Sequence, residues 1–274
     1  MIEERNDNIG EYFSGKKLYG DDFTIAEIEK WYADEVEGYA NLGSKDKGKY
    51  QYTYHSMNKL YGFNHLPKDR VYDQVLGLGS AYGEEFLPII DKIKNITIVE
   101  PSDNLIGEKV GDIPLNYSKP QIDGTLLFED NQFDLIIGFS VLHHIPNVSY
   151  VLSELVRVLK PGGILILREP IVTMGDWREK RQGLTKNERG IPKSFFKAFI
   201  EKNNLKLLSE SLCDCSFAHK VLSKVLPFSI KKDTPSYQQF DNLLSKALSW
   251  NYRYHRTNPL HKCGPASIFL IVEK

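Results

Sequence analysis

The sequence predicts an α/β fold built on one doubly wound, largely parallel sheet. Three observations carry that expectation. From Val71 onward, short apolar runs alternate with helix-length segments, the rhythm of βαβ units. An apolar run, Val75-Leu76, passes into the closely spaced glycines Gly77, Gly79 and Gly83, and a helical segment follows. Further on, Pro161-Gly162-Gly163 ends a helical stretch and turns the chain into Ile164-Leu165-Ile166-Leu167.

The chain has 274 residues, enough for one large domain or a domain with a sizeable insert. Its 41% hydrophobic and 26% charged residues are those of an ordinary globular protein. A net charge of −1 excludes a global attraction for nucleic acid or an anionic membrane, so any basic site must be local. No apolar run reaches the ~20 residues that span a bilayer. The polar, acidic start Met1-Ile2-Glu3-Glu4 is unlike a secretory signal, and three cysteines do not suggest a disulfide framework. The cytoplasm is the expected compartment.

Taken in order, the first ~15 residues lack apolar periodicity and are expected to form a loosely attached arm. Thr24 and Glu27 have capping-box spacing, and Ile25, Ile28, Trp31, Tyr32, Val36 and Tyr39 follow a helical period. A glycine- and lysine-rich loop over 43–49 precedes a second helix over 50–61, on which Tyr50, Tyr54, Met57 and Tyr61 share a face. Seven strands are expected, at 73–78, 96–100, 117–123, 133–140, 163–169, 205–212 and 266–272. Helices are expected at 83–94, 102–108, 147–159 and 194–203. The stretch 217–265 is too long for a simple connection. Its spacing at Phe240, Leu243, Leu244, Ala247 and Leu248 predicts a helical insert that covers a ligand site.

The glycine turn reads as a ligand cradle, because glycine admits positive φ and lets a ligand approach the backbone. Glu100, 21 residues after Gly79, falls at the end of the second strand, where an acidic side chain accepts from ribose hydroxyls. Gly77-x-Gly79-x-x-x-Gly83 also fits a nicotinamide-dinucleotide turn, which keeps an NAD(P)-dependent oxidoreductase as the alternative.

Phe133-Asp134 before the fourth strand and Leu159-Lys160-Pro161-Gly162-Gly163 before the fifth separate the two readings. With the glycine turn and Glu100, this set resembles the class I S-adenosylmethionine-dependent methyltransferases, over about 71–170. The resemblance implies a Rossmann-like seven-stranded methyltransferase sheet with S-adenosyl-L-methionine as cofactor. It implies that Gly77, Leu78, Gly79, Ala81 and Gly83 surround the methionine part and ribose, with Glu100 on the ribose hydroxyls. Pro101 and Ser102 then lie beside the adenine, Asp123 and Gly124 at its amino group, and Phe139 and Ser140 next to the sulfonium. Gly77 stands where this family usually has an acid and Ala81 where it usually has a glycine. Glu84, Glu85 or an N-terminal residue has to replace that acid, and Ala81 needs negative φ or ~1 kcal/mol of strain.

His143 and His144 follow the fourth strand, where methyl transfer takes place in the family. A neutral histidine can take the proton of an attacking hydroxyl, and His144 is the first candidate base. His55 is held in reserve, and Asp176 and Glu169 are further carboxylate candidates. Arg178, Arg181, Lys186 and Arg189 in the loop after the fifth strand can clamp a phosphate or carboxylate, or simply form a solvated, charge-balanced loop. That loop loosely resembles methyltransferases of bacterial sugar and polysaccharide pathways. Tyr54 on the second helix, with Arg253 and His255 in the insert, adds aromatic and basic groups suited to a sugar ring or base, against a null of plain packing. Cys213-x-Cys215 matches no zinc spacing, and no metal site is expected.

The reading is an arm and helical lid over 1–65, a Rossmann-like core over 66–216, a substrate-covering insert over 217–265 and a last core strand over 266–274. The expected activity is O-methylation of a small polar acceptor, such as a sugar or nucleotide-sugar, without a large nucleic-acid or membrane partner. Besides the oxidoreductase, a cofactor-binding protein without turnover remains an alternative.

Overall fold

A computed structural model describes residues 9–42, 51–217, 219, 223 and 231–274, with side chains of 36–42 excluded. Its frame is a sheet whose strands are β1 (Tyr72–Leu78), β2 (Ile93–Val99), β3 (Lys109–Val110), β4 (Ile113–Ser118), β5 (Phe133–Phe139), β6 (Leu159–Pro170), β7 (Lys206–Cys213) and β8 (Ser267–Glu273). They lie in the order β3-β4-β2-β1-β5-β6-β8-β7. Parallel pairing joins β4, β2, β1, β5 and β6, while β8 runs antiparallel to both β6 and β7. The eighth strand, beyond the seven expected, is β3, which turns back on β4 through Gly111 at φ +57°.

Strand alternation divides the core between the two faces of the sheet. Ile136, Leu165, Leu167, Leu270 and Val272 pack on one face with the helix Val148–Val158. Leu135, Ile137, Ile164, Ile166, Phe269 and Ile271 pack on the other with Met57 and Tyr61 of the helix His55–Tyr61. Each such fully buried side chain contributes roughly 1.5–3 kcal/mol from its removal from water.

Among the described residues, the α-helices with defined bounds are, in chain order, α1 (Ile9–Phe13), α2 (Ile25–Leu42), α3 (His55–Tyr61), α4 (Val148–Val158), α5 (Lys193–Lys202) and α6 (Pro235–Ala247). Several expected elements are displaced. The helix expected at 83–94 is a 3-10 segment, Glu84–Lys92, because Pro88 lacks an N–H and Ile89 leaves helical geometry at φ −129°. The helix expected at 102–108 is reduced to one turn, Asp103–Leu105. The strand expected at 117–123 lies at β4 instead: its pairing with β2 ends at Val99↔Ser118, and Pro120 follows. The second helix begins at His55, and Tyr50 lies outside the described residues.

The arm differs most from expectation. Residues 1–8 lie outside the described residues, but from Ile9 the segment is packed in place. Tyr12 and Leu18 are buried, and Tyr12 bonds Asp22. Asp21 accepts from both the backbone and the hydroxyl of Ser149. Aromatic side chains supply the packing: Tyr19 stacks on Trp177 at 4.8 Å, and Phe13 on His255 at 4.1 Å. Phe13 closes a five-residue helix, and Tyr19 and Trp177 sit on turns, so no helical or strand period connects them.

Within 217–265, α6 lies between β7 and β8, capped by Thr234, whose hydroxyl accepts from Tyr237 N–H. Residues 218, 220–222 and 224–230 of that stretch lie outside the described residues.

Candidate active site

Strand register brings the ends of β1, β2 and β5 side by side: Leu78 is opposite Val99 on one side and Gly138 on the other. The turn after β1 is closely packed. A Cβ on Gly77 would lie 2.3 Å from Ser80 Oγ and 2.9 Å from Phe86 Cζ, and one on Gly79, at φ +60°, 2.7 Å from Val141. Ala81 takes the strained alternative, φ +44°, and its carbonyl accepts from Tyr117 OH at 2.7 Å. Ser140, at the end of β5, is also left-handed, at φ +59°. Two non-glycine residues in this region mark a backbone held by its surroundings.

Glu100 is buried just past β2, and its Oε1 accepts from Ser102 N–H at 3.0 Å. Burial pushes its carboxyl up, and backbone hydrogen bonds from Ser102 and Ala81 pull it back. A buried carboxylate beside a side-chain-free turn fits the diol and chain of S-adenosylmethionine. Pro101 and Ser102 follow directly. Asp123 and Gly124 lie five and six residues past the end of β4 rather than on it, in a turn where Asp123 accepts from Thr125 N–H and Asn147.

Glu85 is buried and receives the Ser80 hydroxyl at 2.5 Å. Burial pushes its carboxyl up to about 7, partly offset by that hydrogen bond and by the charge of Arg168. Arg168 is a site residue the sequence reading passed over. It is buried at the end of β6, donates to Asn58 Oδ1 at 2.8 Å and Ser140 Oγ at 3.1 Å, and lies 4.4 Å from the Tyr54 ring centre. The available signal was a lone cation inside an apolar strand.

The neighbouring residue, Glu169, faces the other way. Its Oε1 accepts from Val141 and Leu142 N–H, and its Oε2 from His143 N–H and Nδ1, the last at 2.7 Å. Both oxygens are engaged, so Glu169 anchors the His143 turn instead of meeting an acceptor. His143 is buried, and desolvation and the adjacent His144 hold its imidazole below the usual range. His144 Nδ1 lies 3.1 Å from Oε2 of the buried Glu35 on α2. His143 Nε2 is 3.6 Å from Glu188, and donor atoms of His143, His144 and Glu188 all lie within 4.8 Å, a spacing able to hold a cation.

Most other expected acceptor groups are tied elsewhere. Arg189 is fully buried and donates to the carbonyls of Tyr19, Leu142, His143, Ile145 and Pro146. Arg181 donates to the carbonyls of Met174, Thr185 and Lys186. Both fold the loop after β6 onto the His143 turn rather than clamping an anion. Arg178 forks onto Asp176, which removes Asp176 as a base, and Lys186 pairs with Asp34. Arg253 bonds the carbonyls of Trp250 and Tyr252, and His255 bonds Thr173. His55 lines a separate cleft of about 430 Å³ with Ser56, Lys59, Pro88, Pro235 and Gln239, away from the histidine pair.

Residues 76–167 match the methyltransferase domain family. The match identifies residues 76–167 as a class I S-adenosylmethionine-dependent methyltransferase domain. The dinucleotide-dependent oxidoreductase alternative is thereby replaced, and S-adenosylmethionine is the cofactor. An uncharacterized methyltransferase of Bacillus subtilis, YbaJ, is 29% identical over 157 residues, 52% of this chain and 61% of its own length. The aligned stretch thus spans less than two thirds of that relative. The complex of the Haloferax volcanii Trm112 methyltransferase activator with a methyltransferase shares the fold at TM-score 0.54 and 16% identity, over 90% of this chain and 97% of that one. An S-adenosylmethionine-dependent methyltransferase from Mesorhizobium loti gives TM-score 0.52 at 11% identity, over 77% and 95%. No helix among the described residues is long and apolar enough to cross a membrane.

Proposed function

We propose that the protein O-methylates a small polar acceptor, a sugar or nucleotide-sugar, with His144 as the general base. The contact between His144 Nδ1 and the buried Glu35 carboxylate carries this reading. A carboxylate at Nδ1 orients the ring and stabilises the imidazolium formed when it takes the hydroxyl proton. Bound S-adenosylmethionine supplies an electrophilic methyl group. Glu100 holds the ribose side, and Glu85 replaces the acid missing at Gly77 as the partner of the methionine ammonium. The described parts of the arm and lid, 9–42 and 51–65, and of the insert, 231–265, cover the acceptor side, where Tyr54 contributes an aromatic face and Arg178 and His255 reach the acceptor only by leaving Asp176 and Thr173. Arg181 and Arg189 hold the loop beneath.

Labelled methyl transfer across sugars and nucleotide-sugars tests the reading. The expected result is transfer to a hydroxyl, with His144→Gln lowering kcat about 10²–10⁴-fold at unchanged S-adenosylhomocysteine affinity. Full kcat in that variant removes the base assignment. Tight S-adenosylhomocysteine binding without transfer to any hydroxyl favours a cofactor-binding protein without turnover.

A further inference from the structure

Among the described residues, nothing covers the outer face of α6. Phe240, Leu243, Ala247 and Trp250 fall on one helical stripe, with Trp250 just past the helix. Leu243 is 70% exposed and Trp250 73%. Leu260, 75% exposed, is tied beside them because its carbonyl accepts from Asn251 Nδ2 at 2.8 Å. Large apolar side chains grouped in this way mark a contact surface.

The opposite face of the helix is locked in place. Tyr237, Gln238, Asp241 and Ser245 are buried, and Tyr61 of α3 donates to Asp241 at 3.2 Å. The stripe therefore cannot turn inward without breaking buried polar contacts.

Charge identifies the occupant. Residues 231–265 carry Lys231, Lys232, Lys246, Arg253, Arg256 and Lys262 against Asp233 and Asp241, in a chain of net charge −1. Both carboxylates are turned to backbone N–H groups, Asp233 to His55 and Ser56, and Asp241 to Asp214 and Cys215. Lys231, Lys246, Arg253 and Lys262 are exposed. An apolar stripe carrying tryptophan and flanked by cations suits the headgroup boundary of an anionic bilayer.

We propose that the face formed by Phe240, Leu243, Trp250 and Leu260 docks the protein on an anionic lipid surface. The aliphatic and indole groups enter the interface while the flanking lysines and arginine meet lipid phosphates. Docking is independent of the identity of the methyl acceptor.

The test is co-sedimentation of the full chain with vesicles of phosphatidylcholine, alone or mixed with phosphatidylglycerol, together with tryptophan emission. Trp31 and Trp177 are 1% and 4% exposed, so a blue shift on binding reports Trp250. The expected result is binding and a blue shift with the mixed vesicles, weakened by salt. Leu243→Glu is expected to reduce binding about tenfold or more, and Lys231→Glu/Lys246→Glu to reduce it as well. Both variants keep wild-type S-adenosylhomocysteine affinity, which separates this result from failure of the fold or of the methyl-transfer reading. Absence of binding to mixed vesicles, or binding untouched by Leu243→Glu, overturns the proposal. Self-association abolished by Leu243→Glu, with no vesicle binding, overturns it in favour of a second copy of the chain.

Discussion

Ser80 Oγ lies 2.5 Å from the Glu85 carboxylate, in the space that a side chain on Gly77 would enter. The pair explains why position 77 carries no side chain: its Cβ would strike the hydroxyl that satisfies a buried acid. Gly77→Ala is expected to lower stability by about 1–3 kcal/mol, the usual cost of overpacking. Chemical denaturation measures it, and a wild-type midpoint would show that Ser80 and Phe86 make room.

Glu85 also predicts a pH dependence. Its folded value of about 7 stands above the ordinary carboxylate value, so its favourable contribution is complete below the unfolded value and is lost as pH rises through the folded one. The shift corresponds to roughly 3 kcal/mol between those limits. Glu85→Gln is expected to flatten the stability profile from about pH 4.5 to 7. If Glu85 pairs with the methionine ammonium, S-adenosylhomocysteine binding strengthens as pH rises toward 7 in wild type but not in Glu85→Gln. Calorimetric titration across that range decides it.

His143 acts in the opposite direction. Its folded value is depressed by burial, so its contribution is present above the unfolded value, about 6.5, and is lost as pH falls toward the folded one. Replacing it with Gln is expected to reduce acid sensitivity below about pH 6.5. An unchanged thermal-melting profile over that interval would contradict the burial of a neutral ring.

Glu100→Ala is expected to weaken S-adenosylhomocysteine binding by about 1–3 kcal/mol, the scale of lost charge-assisted hydrogen bonds. Equal affinity in wild type and variant would move the ribose site away from the end of β2.

Arg168→Met leaves Asn58 Oδ1 and Ser140 Oγ without the donor they share. A stability loss of about 1–3 kcal/mol is expected, with a larger fractional loss of cofactor affinity than Arg178→Ala causes. Parallel denaturation and binding curves for the two variants measure the contrast.

The sheet was legible because β1, β5, β6 and β8 are apolar runs bounded by glycine or proline. The third strand was misplaced because β4 is half-buried and its end is set by pairing with Val99, a non-local fact. The arm was misjudged because Tyr12, Phe13 and Tyr19 make their contacts with Trp177 and His255, more than 150 residues away in the chain. The loop arginines illustrate a general ambiguity. Composition cannot distinguish an arginine that clamps a ligand from one, like Arg189, that binds backbone carbonyls. A net charge of −1 likewise conceals the cations around α6.

Arg168 and Glu169 are adjacent on β6, and one reaches Asn58 on α3 while the other holds the turn after β5. Inserting or deleting a single residue in this strand would exchange their sides, stranding a cation and a carboxylate at once. A change of length within β6 is therefore strongly destabilising. Length can change instead beyond Pro170, where the strand ends and a loop begins.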